Sequence, residues 1–235
     1  MWQRVSELKI IQGVFKEELK NRFLCLVEIN GEDVLCYIPS SCRLSNFTNL
    51  TGKTVLLTPI TSANARTKYA VYALRVGKQY VLLNMSHTNK VIERNIHNRR
   101  FSFLGKRSNV RKEHVVEKYK SDLFIEDTHT VVEIKSILAF EKEAIFPTVY
   151  SQRAIDQLAK LNSLLDMGYQ VCYLFVSLNP TVETLKINKE IDEYYRLFIE
   201  CIGKGMLVKG FKVKMRDFEP VIYSKLNIVN VSAED

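Results

Sequence analysis

From Asn21 to Leu83 the chain falls into short apolar runs broken by turn residues, a rhythm that suits small antiparallel β-structure and little else. Phe23 to Ile29 meets Val34 to Ile38 across Asn30-Gly31, a dipeptide that closes two-residue hairpins because both positions tolerate positive φ. Thr54 to Pro59, Tyr69 to Val76 and Tyr80 to Leu83 follow, with Gly52 and Gly77 as punctuation. Five short strands in about 60 residues predict a small β-barrel of the five-stranded OB type. Residues 1 to 20 read as a strand-like lead-in ending at Phe15, then a polar bend.

After residue 84 the period changes. Residues 85 to 98 carry a capped-helix pattern, with Thr88 or Asn89 ahead of Val91, Ile92 and Ile96. A basic linker over 94 to 112 leads to a polar hairpin. A helix is expected from Ser151 to Met167, where Ile155, Leu158, Leu161 and Leu165 repeat at helical spacing and Gly168 stops the run. Tyr169 to Ser177 is apolar, aromatic and β-branched and reads as a buried strand. A second helix over Lys189 to Ile202 completes an α/β half, so the fold class is α/β, or α+β for the whole chain.

The hairpin is Lys120 to Ser136, KSDLFIEDTHTVVEIKS, two apolar runs joined by a polar turn. Side chains alternate across a strand, so Glu133 and Lys135 share one face while Val132 and Ile134 turn to the other. With Glu126 to His129 as the loop, Ile125 pairs with Thr130 and Asp122 falls opposite Glu133. Opposed Cβ atoms lie roughly 4.5–5.5 Å apart and like charges there destabilise a sheet, so something positive is expected between them. Lys135 is one candidate and a divalent cation the other, since Mg2+ takes one or two carboxylates with water and phosphate oxygens. Asp122, Glu133 and Lys135 around one ion suit phosphodiester cleavage, the metal activating water and the lysine holding the phosphate or the attacking water. A surface salt bridge on an ordinary hairpin is the alternative. Glu-x-Lys also occurs at Glu7-Lys9 and Glu18-Lys20, so the tripeptide alone decides nothing.

The net charge of +8 matters through its distribution. Residues 94 to 112 hold seven Lys or Arg and no acid, among them Arg99, Arg100, Lys106 and Arg107, with Phe101 and Phe103 interleaved. Residues 201 to 216 hold five basic residues and no acid. Such stretches suit a phosphate backbone and stacked bases; a solvated basic surface with core phenylalanines is the alternative. Arg43, in the loop Pro39 to Leu44, addresses either phosphate or solvent. The cysteines at 25, 36, 42, 172 and 201 form no C-x-x-C pair, and the four histidines show no ligand spacing, which points to reduced thiols. No apolar run of about 18 or more residues and no signal-like start appear, so a cytoplasmic location without a membrane contact is expected.

Taken together, these residues resemble the sugar fermentation stimulation protein A family. The resemblance runs over nearly the whole length: Gly13-Val14-Phe15, Asn21-Arg22-Phe23, Pro39 to Leu44, Asn84 with Asn89, Asp122, Glu133-Ile134-Lys135, and Phe146-Pro147 with Arg153. It implies an OB-like domain over residues 1–84 that binds nucleic acid and a restriction-endonuclease-like domain of the PD-(D/E)XK class over 85–235, with a mixed sheet flanked by helices. Asp122, Glu133 and the Ile134 carbonyl would then hold Mg2+ or Mn2+, and Lys135 would assist the nucleophile. Arg22, Arg43, Arg99, Arg100, Lys106, Arg107, Lys120 and Arg153 would contact DNA or RNA without reading its sequence, and a homodimer is left open. The chain departs from the family at Ser40 and Cys42 for Asn and Gly, Tyr119-Lys120 for Ser-Arg, Thr148 for Asp, and Gln157 for a His, which keeps a polar partner on the helix. Two functional readings follow: a metal-dependent nuclease, or a DNA-binding regulatory protein that keeps the nuclease fold without turnover.

Overall fold

The computed structural model describes residues 9–39, 43–46 and 48–231. Ser40 and Cys42 therefore lie outside the described residues. The chain divides into two compact units, the first built from residues up to 87 with 178–180 and 213–221, the second from 88–177, 181–212 and 222 onward.

In the first unit, β1 (Ile11–Glu18), β2 (Leu24–Ile29), β3 (Glu32–Tyr37), β4 (Thr54–Pro59), β5 (Tyr69–Val76) and β6 (Gln79–Leu82) form one sheet in the order β3-β2-β1-β4-β5-β6. A parallel pairing of β3 with β5, Cys36 opposite Tyr69, closes β1 to β5 into the expected OB-like barrel. The closing set differs from the five runs read above. The lead-in does not bend after Phe15 but continues to Glu18 as a barrel strand, and β6 pairs with β5 outside the closed ring. The polar residues after Phe15 are strand residues because Glu18 has partners: its carboxylate accepts from the amides of Leu44 at 2.8 Å and Ser45 at 2.9 Å. Gly13 lets β1 run close to β2, since a Cβ there would stand 2.5 Å from Val27 Cγ1 and 2.8 Å from the Glu28 carbonyl. Asn30 and Gly31 take φ of 54° and 85°, the left-handed pair that a tight hairpin turn requires.

After β6 the chain continues with α1 (Ser86–Asn95), β7 (Val110–Lys112), β8 (Val115–Val116), β9 (Tyr119–Lys120), β10 (Leu123–Ile125), β11 (Thr130–Ile137), β12 (Glu143–Phe146), α2 (Gln152–Asp166), β13 (Gln170–Ser177), β14 (Thr184–Ile187), α3 (Asp192–Gly203), β15 (Leu207–Arg216), β16 (Glu219–Lys225) and β17 (Asn227–Val229), which make up the second unit apart from residues 86–87 and 213–221. The main sheet runs β16-β15-β13-β11-β10-β7, with β11, β13 and β15 parallel and β10 and β7 antiparallel. Two successive crossovers step in one direction, so α2 and α3 lie on the same face. Their core is aromatic: Tyr173, Phe175, Tyr194 and Phe198 are fully buried beside Leu158 and Leu161. A small parallel sheet, β12-β14-β17, and the two-stranded β8-β9 complete the unit.

Three expectations are corrected here. Residues 94 to 112 are not a linker: Arg99–Leu104 is a 3-10 segment anchored by fully buried Phe101 and nearly buried Leu104, and β7 forms the edge of the main sheet. In α2 the fully packed residues are Ala154, Ile155, Leu158, Leu161 and Leu164; Leu165, in the last turn, lies against the same core but is only partly buried. Helix α3 begins at Asp192 rather than Lys189, with Asp192 and Glu193 in its first turn where the helix dipole favours them. Cys25, Cys36, Cys172 and Cys201 are buried free thiols, and no helix among the described residues is long and apolar enough to cross a membrane.

Candidate active site

The site lies where two paired strands part. Strand β10 pairs with β11 only from Ile125↔Thr130 to Leu123↔Val132, in the register the hairpin count gives. Beyond that point the backbone before β10 turns away, the Ser121 amide donating to the His114 carbonyl at 2.9 Å and the Glu113 amide to that of Asp122 at 3.0 Å. Strand β11 continues alone on this edge. The Asp122 side chain replaces the missing ladder: Oδ2 accepts from the Ile134 amide at 2.7 Å and Oδ1 from Asn89 Nδ2, on α1, at 2.8 Å. A strand residue presents its N–H and C=O to the same edge, so the Ile134 carbonyl faces the Asp122 side of β11, past the last ladder pair.

Glu133, the residue before Ile134, is 4 % exposed, yet three side chains satisfy it. Lys135 Nζ donates to Oε1 at 2.7 Å, Gln157 Nε2 to the same oxygen at 3.3 Å, and the Tyr119 hydroxyl to Oε2 at 2.5 Å. Lys135 also donates to Gln157 Oε1 at 2.7 Å, which closes a Glu133–Lys135–Gln157 triangle. Tyr119 reaches Glu133 because β8 and β9 make a tight hairpin whose central residues, Glu117 and Lys118, take φ of 45° and 68°. Sequence reasoning treated Tyr119 only as a departure from a family pattern; its role depends on this turn, for which the sequence has no glycine or asparagine signal.

The charges are unequal. Burial, then the neighbouring Glu133 carboxylate, push the Asp122 carboxyl up to about 6 against the pull of its two hydrogen bonds and Lys135. Burial and Glu133 also push the Tyr119 hydroxyl far above its ordinary value, so it stays a protonated donor. The expected positive partner is therefore only half supplied. Lys135 bonds Glu133 and not Asp122, whose contacts are neutral donors.

A cleft of about 570 Å³ opens over these groups. Helix α2, started by the Ser151 side chain accepting from the Ala154 amide, lends one wall through Arg153, Asp156, Gln157 and Lys160. Lys118 and Lys120 line the opposite side, Lys120 bonded to Glu113 at 2.7 Å. No group of three or more His, Cys, Asp or Glu side chains suited to a metal exists among the described residues. Two carboxylates and one strand-edge carbonyl remain, all oxygen donors, and one carboxylate is disfavoured as an anion by its surroundings. That set fits a hard divalent cation that keeps water or substrate oxygens in its other positions, as Mg2+ and Mn2+ do.

The other candidate residues are dispersed. Lys120 and Arg153 line this cleft. Arg99 and Arg100 border a second cavity in the same unit. Lys106 sits 3.4 Å from Asp127, and Arg107 bonds the Ile96 carbonyl at 2.8 Å and that of Gly105, so both brace the segment after the 3-10 turn. In the first unit, Arg22 stacks over the Phe23 ring at 4.7 Å, and Arg43 donates to the Lys20 carbonyl at 2.8 Å instead of reaching freely into solvent.

Comparison with known proteins bears on both units. The family described as "Sugar fermentation stimulation protein RE domain" matches residues 86–219, and the "SfsA N-terminal OB domain" matches residues 19–83. A sugar fermentation stimulation protein homolog from Pelagibacter ubique is 25% identical over 234 residues, 94% of this chain and 97% of its own. One from Clostridium kluyveri is 26% identical over 180 residues, covering 74% and 77%. The solved structure "The structure of Pyrococcus Furiosus SfsA in complex with Ca2+" shares the fold, with a TM-score of 0.79 at 20% identity, 97% of this chain and 99% of that one being covered. Barrel, mixed sheet and both family matches run in the same order along the sequence, and the chain belongs to the sugar fermentation stimulation protein family.

Proposed function

We propose that the protein is a metal-dependent nuclease that hydrolyses phosphodiester bonds in DNA or RNA. One observation carries this reading: the Asp122 carboxylate sits on the open edge of β11 at the Ile134 amide, next to Glu133 and its Lys135 partner, and its own hydrogen-bond donors are all neutral. A relative bears Ca2+ in its described structure, which agrees with a divalent cation in this family without assigning one to this chain.

Asp122, Glu133 and the Ile134 carbonyl would hold Mg2+ or Mn2+, which when bound supplies an acidified water and neutralises charge on the phosphoryl oxygens. The chain's own groups then have separable tasks. Asn89 and the Ile134 amide fix both Asp122 oxygens, while Tyr119 and Gln157 fix those of Glu133. Lys135, held by Glu133 and Gln157, keeps an ammonium where it can orient the attacking water or steady the non-bridging phosphate oxygens. Water adds to phosphorus and gives up a proton, the bond from phosphorus to the leaving sugar oxygen breaks, and that oxygen takes a proton from solvent, leaving a phosphate monoester and a sugar hydroxyl. Arg153, Lys160, Lys118 and Lys120 around the cleft suit the backbone on either side of that bond.

A non-catalytic nucleic-acid binder is the second reading. It is favoured by Thr148, exposed where the family carries an acid. Incubating the pure protein with labelled single- and double-stranded DNA and RNA, in Mg2+, Mn2+ or EDTA, separates the two. Cleavage in metal that stops in EDTA and in Glu133→Gln supports the enzyme. Binding without cleavage under every condition leaves the binder.

A further inference from the structure

A second cavity in the nuclease-like unit, of about 530 Å³, is bordered by the 3-10 segment Arg99–Leu104 and by strands β15 and β17. Four cations line it, Arg99, Arg100, Lys209 and Lys225, and no carboxylate does. This contrasts with the active-site cleft, where Lys120 and Lys135 each bond a glutamate. Among the described residues none of the four pairs with an acid. Arg100 is held by the Ile222 and Tyr223 carbonyls at 3.2 Å, and Lys209 lies 5.7 Å from the centre of the Phe103 ring. Like charges collected around one cavity repel one another, so a bound anion lowers the free energy of the arrangement.

The anion is not bare phosphate alone, because the cavity has an apolar side. Half-buried Phe103 and Val208, with buried Phe211 behind them, give it an aromatic and aliphatic surface. Phe103 is braced by Phe101 at 6.0 Å, and Phe101 by Phe211 at 5.0 Å, so its ring is a supported platform. A flat π-system beside a phosphate is the chemistry of a nucleotide: the base stacks on an aromatic ring and the phosphate meets arginine and lysine. The volume falls within the range of about 300–1,000 Å³ usual for small-molecule pockets. Bases inside a duplex present only their edges and cannot stack on a recessed ring, so the guest is an unpaired nucleotide. We infer that this cavity binds one unpaired nucleotide, its base on Phe103 and its phosphate between Arg99 and Lys225. The inference rests on the proposed contact with nucleic acid but not on cleavage.

The test uses the full-length protein in EDTA. Fluorescence anisotropy measures binding of an eight-nucleotide single strand, a blunt duplex of the same length and that duplex with a two-nucleotide overhang. Calorimetry measures binding of adenosine monophosphate and of inorganic phosphate. Single strand and overhang should bind at least about ten-fold tighter than the blunt duplex. Phe103→Leu should cut that preference about ten-fold, the scale of one lost base stack. The double change of the exposed Arg99 and Lys225 to alanine should abolish the preference with the melting temperature unchanged. Saturable binding of adenosine monophosphate identifies a free nucleotide as a guest; binding of strands alone identifies a nucleotide within a chain. Either supports the site. Equal affinity for blunt duplex and single strand, phosphate binding as tightly as adenosine monophosphate, or folded variants that keep the preference overturns it. Absence of cleavage with this pattern intact overturns only the hydrolase reading.

Discussion

Replacing Asp122 by Asn should make the metal-free protein more stable. Asp122 is pushed from an ordinary 3.8 up to about 6, so its ionised form is less favourable in the folded chain than in the unfolded one. That penalty is absent below pH 3.8, grows between 3.8 and 6, and is fully present above 6. The difference between those two values corresponds to about 3 kcal/mol at neutral pH. Asparagine removes the charge and can keep both contacts: its carbonyl accepts from the Ile134 amide, and its NH2 donates to Asn89 once that amide turns over. At about 2–4 °C per kcal/mol for a chain of this size, the gain should be about 6–12 °C of melting temperature. Thermal unfolding of both proteins in EDTA at pH 4.5, 6 and 8 measures it, and the gap should widen with pH. Adding Mg2+ at pH 8 should raise the wild type and leave the variant unmoved, since only the wild type can exchange its penalty for a bound cation. An Asp122→Asn protein that is less stable than wild type at pH 8 in EDTA would refute the reasoning, because the carboxylate would then be worth more to the fold than its charge costs.

Three further changes probe the same architecture. Glu133→Gln and Lys135→Met should both stop cleavage in Mg2+, but metal-free binding of nucleic acid, followed by anisotropy, should tighten for the first and weaken for the second; Lys135→Met should also lose about 3 kcal/mol in urea unfolding, because it leaves Glu133 buried without its cation. Tyr119→Phe removes the donor to Glu133 Oε2, so Mg2+ affinity measured by calorimetry should fall at least about ten-fold, and urea unfolding should show a loss of about 1–3 kcal/mol because a buried carboxylate oxygen is left without its partner. Gly13→Ala puts a methyl into Val27 and the Glu28 carbonyl, and should destabilise the barrel by about 1–3 kcal/mol in urea, with cleavage by the remaining folded protein unchanged.

Local signals made the barrel and the acid hairpin readable. Asn30-Gly31 dictates a turn by itself, and the count from Ile125↔Thr130 needs only strand alternation. What stayed hidden depends on pairings distant in sequence. The segment after Phe15 looks polar because its partners, the amides of Leu44 and Ser45, come from a loop 26 and 27 residues away. Tyr119 meets Glu133 through a hairpin whose left-handed residues are glutamate and lysine, types that carry no turn signal. The arginines of 94 to 112 read as one basic stretch, yet Arg107 spends its donors on carbonyls while Arg99 and Arg100 border a cavity; charge is visible in sequence, but its assignment to fold or surface is not.

Helix α2 divides its positions between two jobs. Residues 154, 155, 158 and 161 are packed into the core, whereas 153, 156, 157 and 160 look onto the cleft. Because the two sets interleave without overlapping, the cleft wall can be rewritten while the sheet underneath keeps its packing. Gln157 is the cleft position tied to the acid pair, through Lys135 and Glu133, whereas Arg153 and Lys160 touch the cleft without touching that triangle. Substitution at 153 or 160 should therefore retune which strands the cleft accepts, and substitution at 157 should retune how fast it works, an independence that a lineage can exploit one residue at a time.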